Sequence, residues 1–410
     1  MTPDGRPAAA APRGTAAGTV SDRATLLRLA VLWLAGIDMR VTLLAVPPVL
    51  TLIHRDLRLS ETGVGVLTSL PVLLMAAAAV PGSLLIARAG ARRAAIAGIM
   101  VVAISSGLRG AGPSVAMLFA MTFVMGVGVA VTQPAVPSLV ARWCADRVGL
   151  ATAAYVNGLL VGETLSAALT LPLVLPLVRG AWPSTLAVWA LVPLGTGVLM
   201  LALRSRLPDA AAGPTAPWRP EWRGALVWRL GLLLGGISTA YFGTNAFLPD
   251  YLHTVGQAGL IGPCLAALNA GQLPASLLAL ILAPRITGRR APLLAVPVSA
   301  AASLAVFLIG PPALRVLGAG LIGFSAALGL VLALALPPLT VPSRDVHRLS
   351  AGMFAVGYGY SFLLPLLGGM VWDLSHVPVS AFLPAFAGAA TAFAAASALP
   401  PRAGLASGGS

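Results

Sequence analysis

RSRLPDAAAGPTAPWRPEWRG, residues 204–224, is the longest polar stretch inside a chain that is otherwise apolar. It falls near the midpoint of 410 residues. A helix needs about 20 apolar residues to cross the hydrocarbon core of a bilayer. Measured with that ruler, the chain before the stretch holds six candidate spans, near 27–50, 63–86, 93–109, 115–138, 149–174 and 183–203. The chain after it holds six more, near 225–251, 258–283, 291–310, 314–338, 349–371 and 379–399. In lipid only helices and closed barrels satisfy every backbone N–H and C=O, and runs of this length are helices.

Composition agrees. Hydrophobic residues make up 58% of the chain, charged residues 9%, and the mean hydropathy is +0.91, whereas soluble domains carry about 25% charged residues. The expected fold is an all-α integral membrane protein of twelve transmembrane helices in two six-helix bundles, 25–203 and 225–400. The linker is 204–224, and disordered tails are expected at 1–24 and 401–410. Residues 1–20 are rich in Ala, Pro and Gly and lack the apolar core of a signal peptide.

Orientation follows from arginine, because the +14 net charge is carried without a single lysine. If the N-terminus is cytoplasmic, nineteen arginines fall in cytoplasmic segments and five (Arg55, Arg58, Arg109, Arg179, Arg315) on the other side. Positive charge favours the inner side, so both termini are expected in the cytoplasm of a bacterium, with the chain in its plasma membrane. The arginines lie in short clusters between apolar runs rather than in one patch, so no nucleic-acid partner is expected. The partners are the lipid bilayer, a small solute and protons. No Walker A pattern is present. No metal-ligand spacing and no Ser/His constellation appears either, so neither an enzyme nor a cofactor is expected. Cys144 falls in a loop and Cys264 in a span, and no disulfide is expected.

The residues that call for an explanation are charges inside spans. Asp38 and Arg40 interrupt the first one in AGIDMRVTL, 35–43. Each costs roughly 2.5–3.5 kcal/mol at a span centre on the insertion scale. Two residues apart, they project about 200° from each other around a helix. They cannot share a face, so each faces another helix or a wet cavity. Arg40 presents a planar fork of donors suited to a carboxylate-like anion. Its alternative role is an ion pair, for example with Glu163 in the fifth span. Glu163 and Asp38 are the candidates for carrying a proton. Gln133, Tyr155, Asn157, Tyr241, Asn245, Asn269, Gln272, Tyr358 and Tyr360 either line a cavity or bond neighbouring helices. Arg109, at the end of the third span, is expected to snorkel to the headgroups or to line a vestibule.

The halves echo each other. DRVGLATAAYVNG (146–158) matches DVHRLSAGMFAVG (345–357) at an offset of 199 residues, with Gly158 and Gly357 in register. PGSLLIARAGARR (81–93) likewise resembles PASLLALILAPRITGRR (274–290). Twelve spans in two repeated halves resemble the major facilitator superfamily. The loop ARAGARR (87–93) is similar to that superfamily's signature loop, with Arg88, Gly90, Arg92 and Arg93 fitting and Ala87 standing where an Asp is usual. Within the superfamily the chain resembles the cyanate/2-nitroimidazole transporter family. DMR (38–40), LTSLPVLL (67–74), SSGLRG (105–110), PSLVARW (137–143), FLPDYL (247–252) and GYGYSFLLPLLGGMVWDLS (357–375) carry that likeness. Asp38, Gln133, Ile237 and Phe354 depart from it.

The resemblance implies a monomeric secondary transporter working by alternating access on a small anionic or polar solute, with proton coupling. A proton/drug antiporter is the alternative. It implies substrate contact by Arg40, Gln133, Tyr241, Asn245 and Tyr358. It also implies gating loops at Arg88, Gly90, Arg92 and Arg93 and, in the second half, at Arg289 and Arg290.

Overall fold

In a computed structural model of the chain, residues 16–59, 61–111, 114–208 and 217–399 are described. Among these every regular element is helical. Eleven stretches are long and apolar enough to cross a membrane. The second span falls short only because it is broken at Ala78 into Glu61–Ala77 and Ala79–Ala89. Span 1 comprises Ala16–Val41 and Val46–Leu57, span 3 Ala91–Arg109 and span 4 Val115–Trp143. Span 5 runs from Val148 through a π-turn, Thr170–Val174, to Leu177, and span 6 is Trp182–Ala202. Spans 7 to 9 are Ala225–Thr254, Ile261–Ala270 with Gln272–Ile286, and Arg290–Ile309. Spans 10 to 12 are Pro312–Leu334 with Leu336–Thr340, Val346–Ser375 and Leu383–Ser397.

The expected tail at 1–24 needs a correction, because the helix of span 1 already begins at Ala16. The remainder of that tail up to residue 15, the linker segment 209–216 and the tail 401–410 lie outside the described residues. Breaks in the spans have a common cause. Proline has no N–H to return to the carbonyl four residues back. Pro47 and Pro48 follow the turn Thr42–Ala45, Pro81 the break at Ala78, Pro274 that at Gly271, and Pro337 and Pro338 that at Ala335. Pro71, Pro134 and Pro365 sit inside helices that continue without a break.

The two halves pack alike. Span 1 lies along span 5 as span 7 lies along span 11, and span 3 contacts spans 4 and 6 as span 9 contacts spans 10 and 12. Glycine makes the first pair of seams possible. A Cβ on Gly36 would stand 2.1 Å from the Tyr155 carbonyl oxygen, and one on Gly158 2.1 Å from that of Trp33. In the second half Gly235 meets the Gly357 carbonyl in the same way, at 2.9 Å. Small residues let helix backbones approach to this degree where lipid offers no hydrophobic drive.

Between the halves, span 5 packs on span 8 and span 2 on span 11. One close approach is at the arginine-rich end, where a Cβ on Gly149 would be 2.6 Å from Thr287 Oγ1. At the opposite end Val46–Leu57 and Ile261–Ala270 make their close contacts within their own halves. A cavity of about 670 Å³ opens at the arginine-rich end beside Asp146, Arg147 and Thr287. It lies away from the intramembrane charges.

Candidate functional site

The polar residues inside the spans fall into two tiers along the boundary between the halves. With a rise of 1.5 Å per residue, Tyr155 is about 10 Å and Glu163 about 22 Å from the start of span 5. The tier around Glu163 contains Arg40 on span 1, Tyr241 on span 7, and Asn269 and Gln272 on span 8. Tyr241 Oη lies 3.1 Å from Glu163 Oε1 and 2.8 Å from Asn269 Oδ1. Asn269 Nδ2 donates to the Leu265 carbonyl at 2.8 Å, so its oxygen is the atom turned to Tyr241. A phenol has one proton and serves one of these acceptors at a time. Gln272 also reaches the Tyr241 hydroxyl, and the charge of Arg40 acts on it. Arg40 is half-buried, and its guanidinium forms no hydrogen bond or ion pair with a described residue. Asn245 is half-buried one turn further along span 7.

The other tier is buried. Gln133 Nε2 on span 4 donates to Tyr358 Oη on span 11 at 3.1 Å. Tyr358 stacks on Phe354, with centroids 5.8 Å apart and planes 12° from parallel. Asn157 accepts from Trp33 Nε1 at 2.9 Å and donates to Ser276 Oγ at 3.0 Å. The Gln133–Tyr358 and Asn157–Ser276 bonds join the first half to the second. Gln133 and Tyr358 are thus bonded to each other across the halves, an arrangement the sequence did not indicate.

The ion-pair alternative finds no support at Asp38 or Glu163, and the expectation for Arg109 changes. Asp38 has no ion-pair partner among the described residues. Its carboxylate is 1% exposed and accepts from Thr196 Oγ1 on span 6 at 3.2 Å, while Oδ2 has no partner. The angle between consecutive side chains turns Asp38 into its own bundle and Arg40 away from it. Glu163 is bonded to the neutral Tyr241, and no ion pair joins it to Arg40 among the described residues. Arg109 neither snorkels nor lines a vestibule. It is 1% exposed, and Nη2 donates to the Thr42 carbonyl at 2.7 Å. The following residue explains its direction. A Cβ on Gly110 would be 2.0 Å from the Pro183 carbonyl oxygen, so the chain there is pressed onto span 6 and the side chain turns inward.

The loop arginines are tethers within each half. Arg92 donates to the carbonyls of Arg204 and Leu207 just beyond span 6. Arg290 Nη2 donates to the Ser397 carbonyl at the end of span 12, at 2.6 Å. A cation at helix C-terminal carbonyls also meets the negative end of the dipole. Gly90 takes φ +88° between spans 2 and 3, while Arg88, Arg93 and Arg289 are exposed.

The family model described as Major Facilitator Superfamily matches residues 29–351. The chain belongs to the major facilitator superfamily. This superfamily member is 30% identical to the cyanate transport protein of Escherichia coli (strain K12) over 351 residues, 85% of this chain and 90% of that one. It is 27% identical to the 2-nitroimidazole transporter of the same organism over 373 residues, 88% and 91% of the two chains. Among solved structures, the transporter FucP in its outward conformation superposes with a TM-score of 0.72 at 14% identity, over 92% of this chain and 99% of that one. The relatives are bacterial transporters, and the chain is a multi-pass protein of the cytoplasmic membrane.

Proposed function

We propose that this transporter moves a small anionic or polar solute by alternating access, with protons as the coupling ion. One observation carries the reading. Arg40 is an intramembrane cation, half-buried, its guanidinium with no protein partner among the described residues, beside a hydroxyl that is shared between a carboxylate and an amide. An unpaired guanidinium in a span is costly, and a bidentate anion offsets that cost. The names of the two bacterial relatives, for cyanate and for 2-nitroimidazole, support a small solute. Both termini are assigned to the cytoplasm on the arginine bias. The close contacts of Gly149 with Thr287 then lie on the cytoplasmic side, and the Arg40 tier faces outward in this state.

Glu163 is the proposed proton carrier. When ionised, it accepts the Tyr241 proton. When protonated, it donates to Tyr241 Oη, and Tyr241 turns its own proton to Asn269. In both states the Glu163–Tyr241 hydrogen bond is kept with its direction reversed, so the carboxyl is never left without that partner.

The test is uptake and counterflow of a panel of small anions, with 2-nitroimidazole included, in proteoliposomes with and without a pH gradient. Arg40→Ala is expected to abolish transport of the anionic substrate, and unchanged transport would remove Arg40 from the site. Glu163→Gln is expected to stop gradient-driven accumulation and to spare exchange. Intact accumulation in Glu163→Gln would exclude coupling through this carboxyl.

A further inference from the structure

Arg109 is one of the largest fully buried side chains of the protein, yet it belongs to neither polar tier. Its partner is not a carboxylate but the carbonyl of Thr42, the first residue of the turn that interrupts span 1. That turn is a weak point. Pro47 and Pro48 return no N–H to the carbonyls of Leu43 and Leu44, so the helix that ends at Val41 resumes only at Val46. Thr42 is held from a second side, because its hydroxyl lies 3.6 Å from the sulfur of Met125 on span 4. Arg40 occupies the last turn of the first helix, and its carbonyl receives the Leu44 N–H at 2.9 Å. The clamped carbonyl is therefore two residues from Arg40, on the same short piece of backbone.

We infer that Arg109 is a positioning residue. It clamps the open turn of span 1 through the Thr42 carbonyl and so sets where the Arg40 guanidinium stands in the transport site. The inference rests on the proposed role of Arg40 as the anion-binding cation. A guanidinium suits the task for two reasons. A charge-assisted hydrogen bond is stronger than a neutral one, and a cation at the carbonyl end of a helix is favoured by its dipole. Burial of an otherwise unpaired charge, with Nε left without a partner, makes a passive packing role a poor use of the residue. Misplacing a binding group by about 1 Å can lower a rate about 100-fold, so a loosened turn should be felt at Arg40 without contact between Arg109 and the solute.

The experiment has two arms, run on full-length Arg109→Met, Arg109→Gln and Arg109→Lys in detergent and in proteoliposomes. In the first arm, which needs no substrate, hydrogen exchange is followed by mass spectrometry on peptides covering residues 41–50. Arg109→Met and Arg109→Gln are expected to exchange there about tenfold faster, the effect of losing one charged hydrogen bond, with peptides of span 5 unchanged. Arg109→Lys is expected to restore protection. In the second arm, run with cyanate as the probe anion, KM is expected to rise about tenfold in Arg109→Met and Arg109→Gln, with the maximal rate nearly kept, and Arg109→Lys is expected to recover KM in part. Unchanged exchange at 41–50 in both neutral variants overturns the clamp. Faster exchange with unaltered KM overturns the link from the clamp to Arg40. Failure of the underlying reading shows elsewhere, as retained anion transport by Arg40→Ala with the exchange arm still positive.

Discussion

Tyr241 and Glu163 sit 3.1 Å apart on spans 7 and 5, so a single hydroxyl proton links the two halves at the level of Arg40. Tyr241→Phe keeps the ring, which packs edge-on against Phe242, and removes only that proton. The variant is expected to fold and to exchange substrate across the membrane, with accumulation driven by a pH gradient reduced about tenfold, the effect of one hydrogen bond to a charged group. Wild-type accumulation in Tyr241→Phe would take the phenol out of the coupling scheme.

Arg40→Lys keeps the charge and loses the planar fork. At a site that grips two oxygens this is not a conservative change. Affinity for a carboxylate-like substrate is expected to fall about tenfold in competition counterflow. A lysine that restores full affinity would show that the solute needs charge alone.

Gly158 and its repeat counterpart Gly357 separate in severity. In Gly158→Ala the new Cβ meets the Trp33 carbonyl at 2.1 Å, and backbone cannot swing away. In Gly357→Ala the nearest atoms are the end of the Leu234 side chain at 2.9 Å, with the Gly231 carbonyl at 3.2 Å. Overpacking costs about 1–3 kcal/mol, so Gly158→Ala belongs at the upper end and Gly357→Ala at the lower. Thermal unfolding followed by fluorescence-detected size exclusion gives the order, and a reversed order would contradict the seam geometry.

Asn157→Ala removes two bonds, to Trp33 and to Ser276, the second of which crosses between the halves. Each interhelical bond is worth about 0.6 kcal/mol. The expected result is a modest shift of the conformational equilibrium away from the state closed at the arginine-rich end. Spin-label distances across the Gly149–Thr287 contact report it. An unchanged distance distribution would leave Asn157 as packing within span 5.

Cys144 is buried beyond the end of span 4, and burial raises its thiol above the usual range despite the nearby Arg28. Less thiolate forms at a given pH, and thiolate is the nucleophile. Maleimide at pH 7 is expected to leave the folded protein unlabelled and to react once it is denatured. Fast labelling of the native protein would show that this end opens readily.

Much of the fold was legible in the residues themselves. The apolar runs gave their own number, because hydrocarbon thickness sets one length for all of them, and the polar 204–224 segment set the division. The 199-residue offset between Gly158 and Gly357 announced the repeat that the glycine seams then display. The candidate site was legible only as an inventory. Arg40, Glu163 and Tyr241 were each singled out, but nothing in their spacing said that a phenol would link the carboxylate to Asn269. The partners that redefine Asp38 and Arg109 were invisible. One is a threonine 158 positions away and the other a backbone carbonyl, which no side-chain pattern encodes.

The linear sequence thus determined the solvent, the count of crossings and the charge asymmetry between the two faces, because these depend on local composition against a bilayer of fixed thickness. Only the folded chain decided which charges face the boundary between the halves and which are turned into a bundle. That choice depends on how each helix is rotated about its axis, and rotation is set by contacts with residues far away in the chain, such as Gly110 pressed against Pro183.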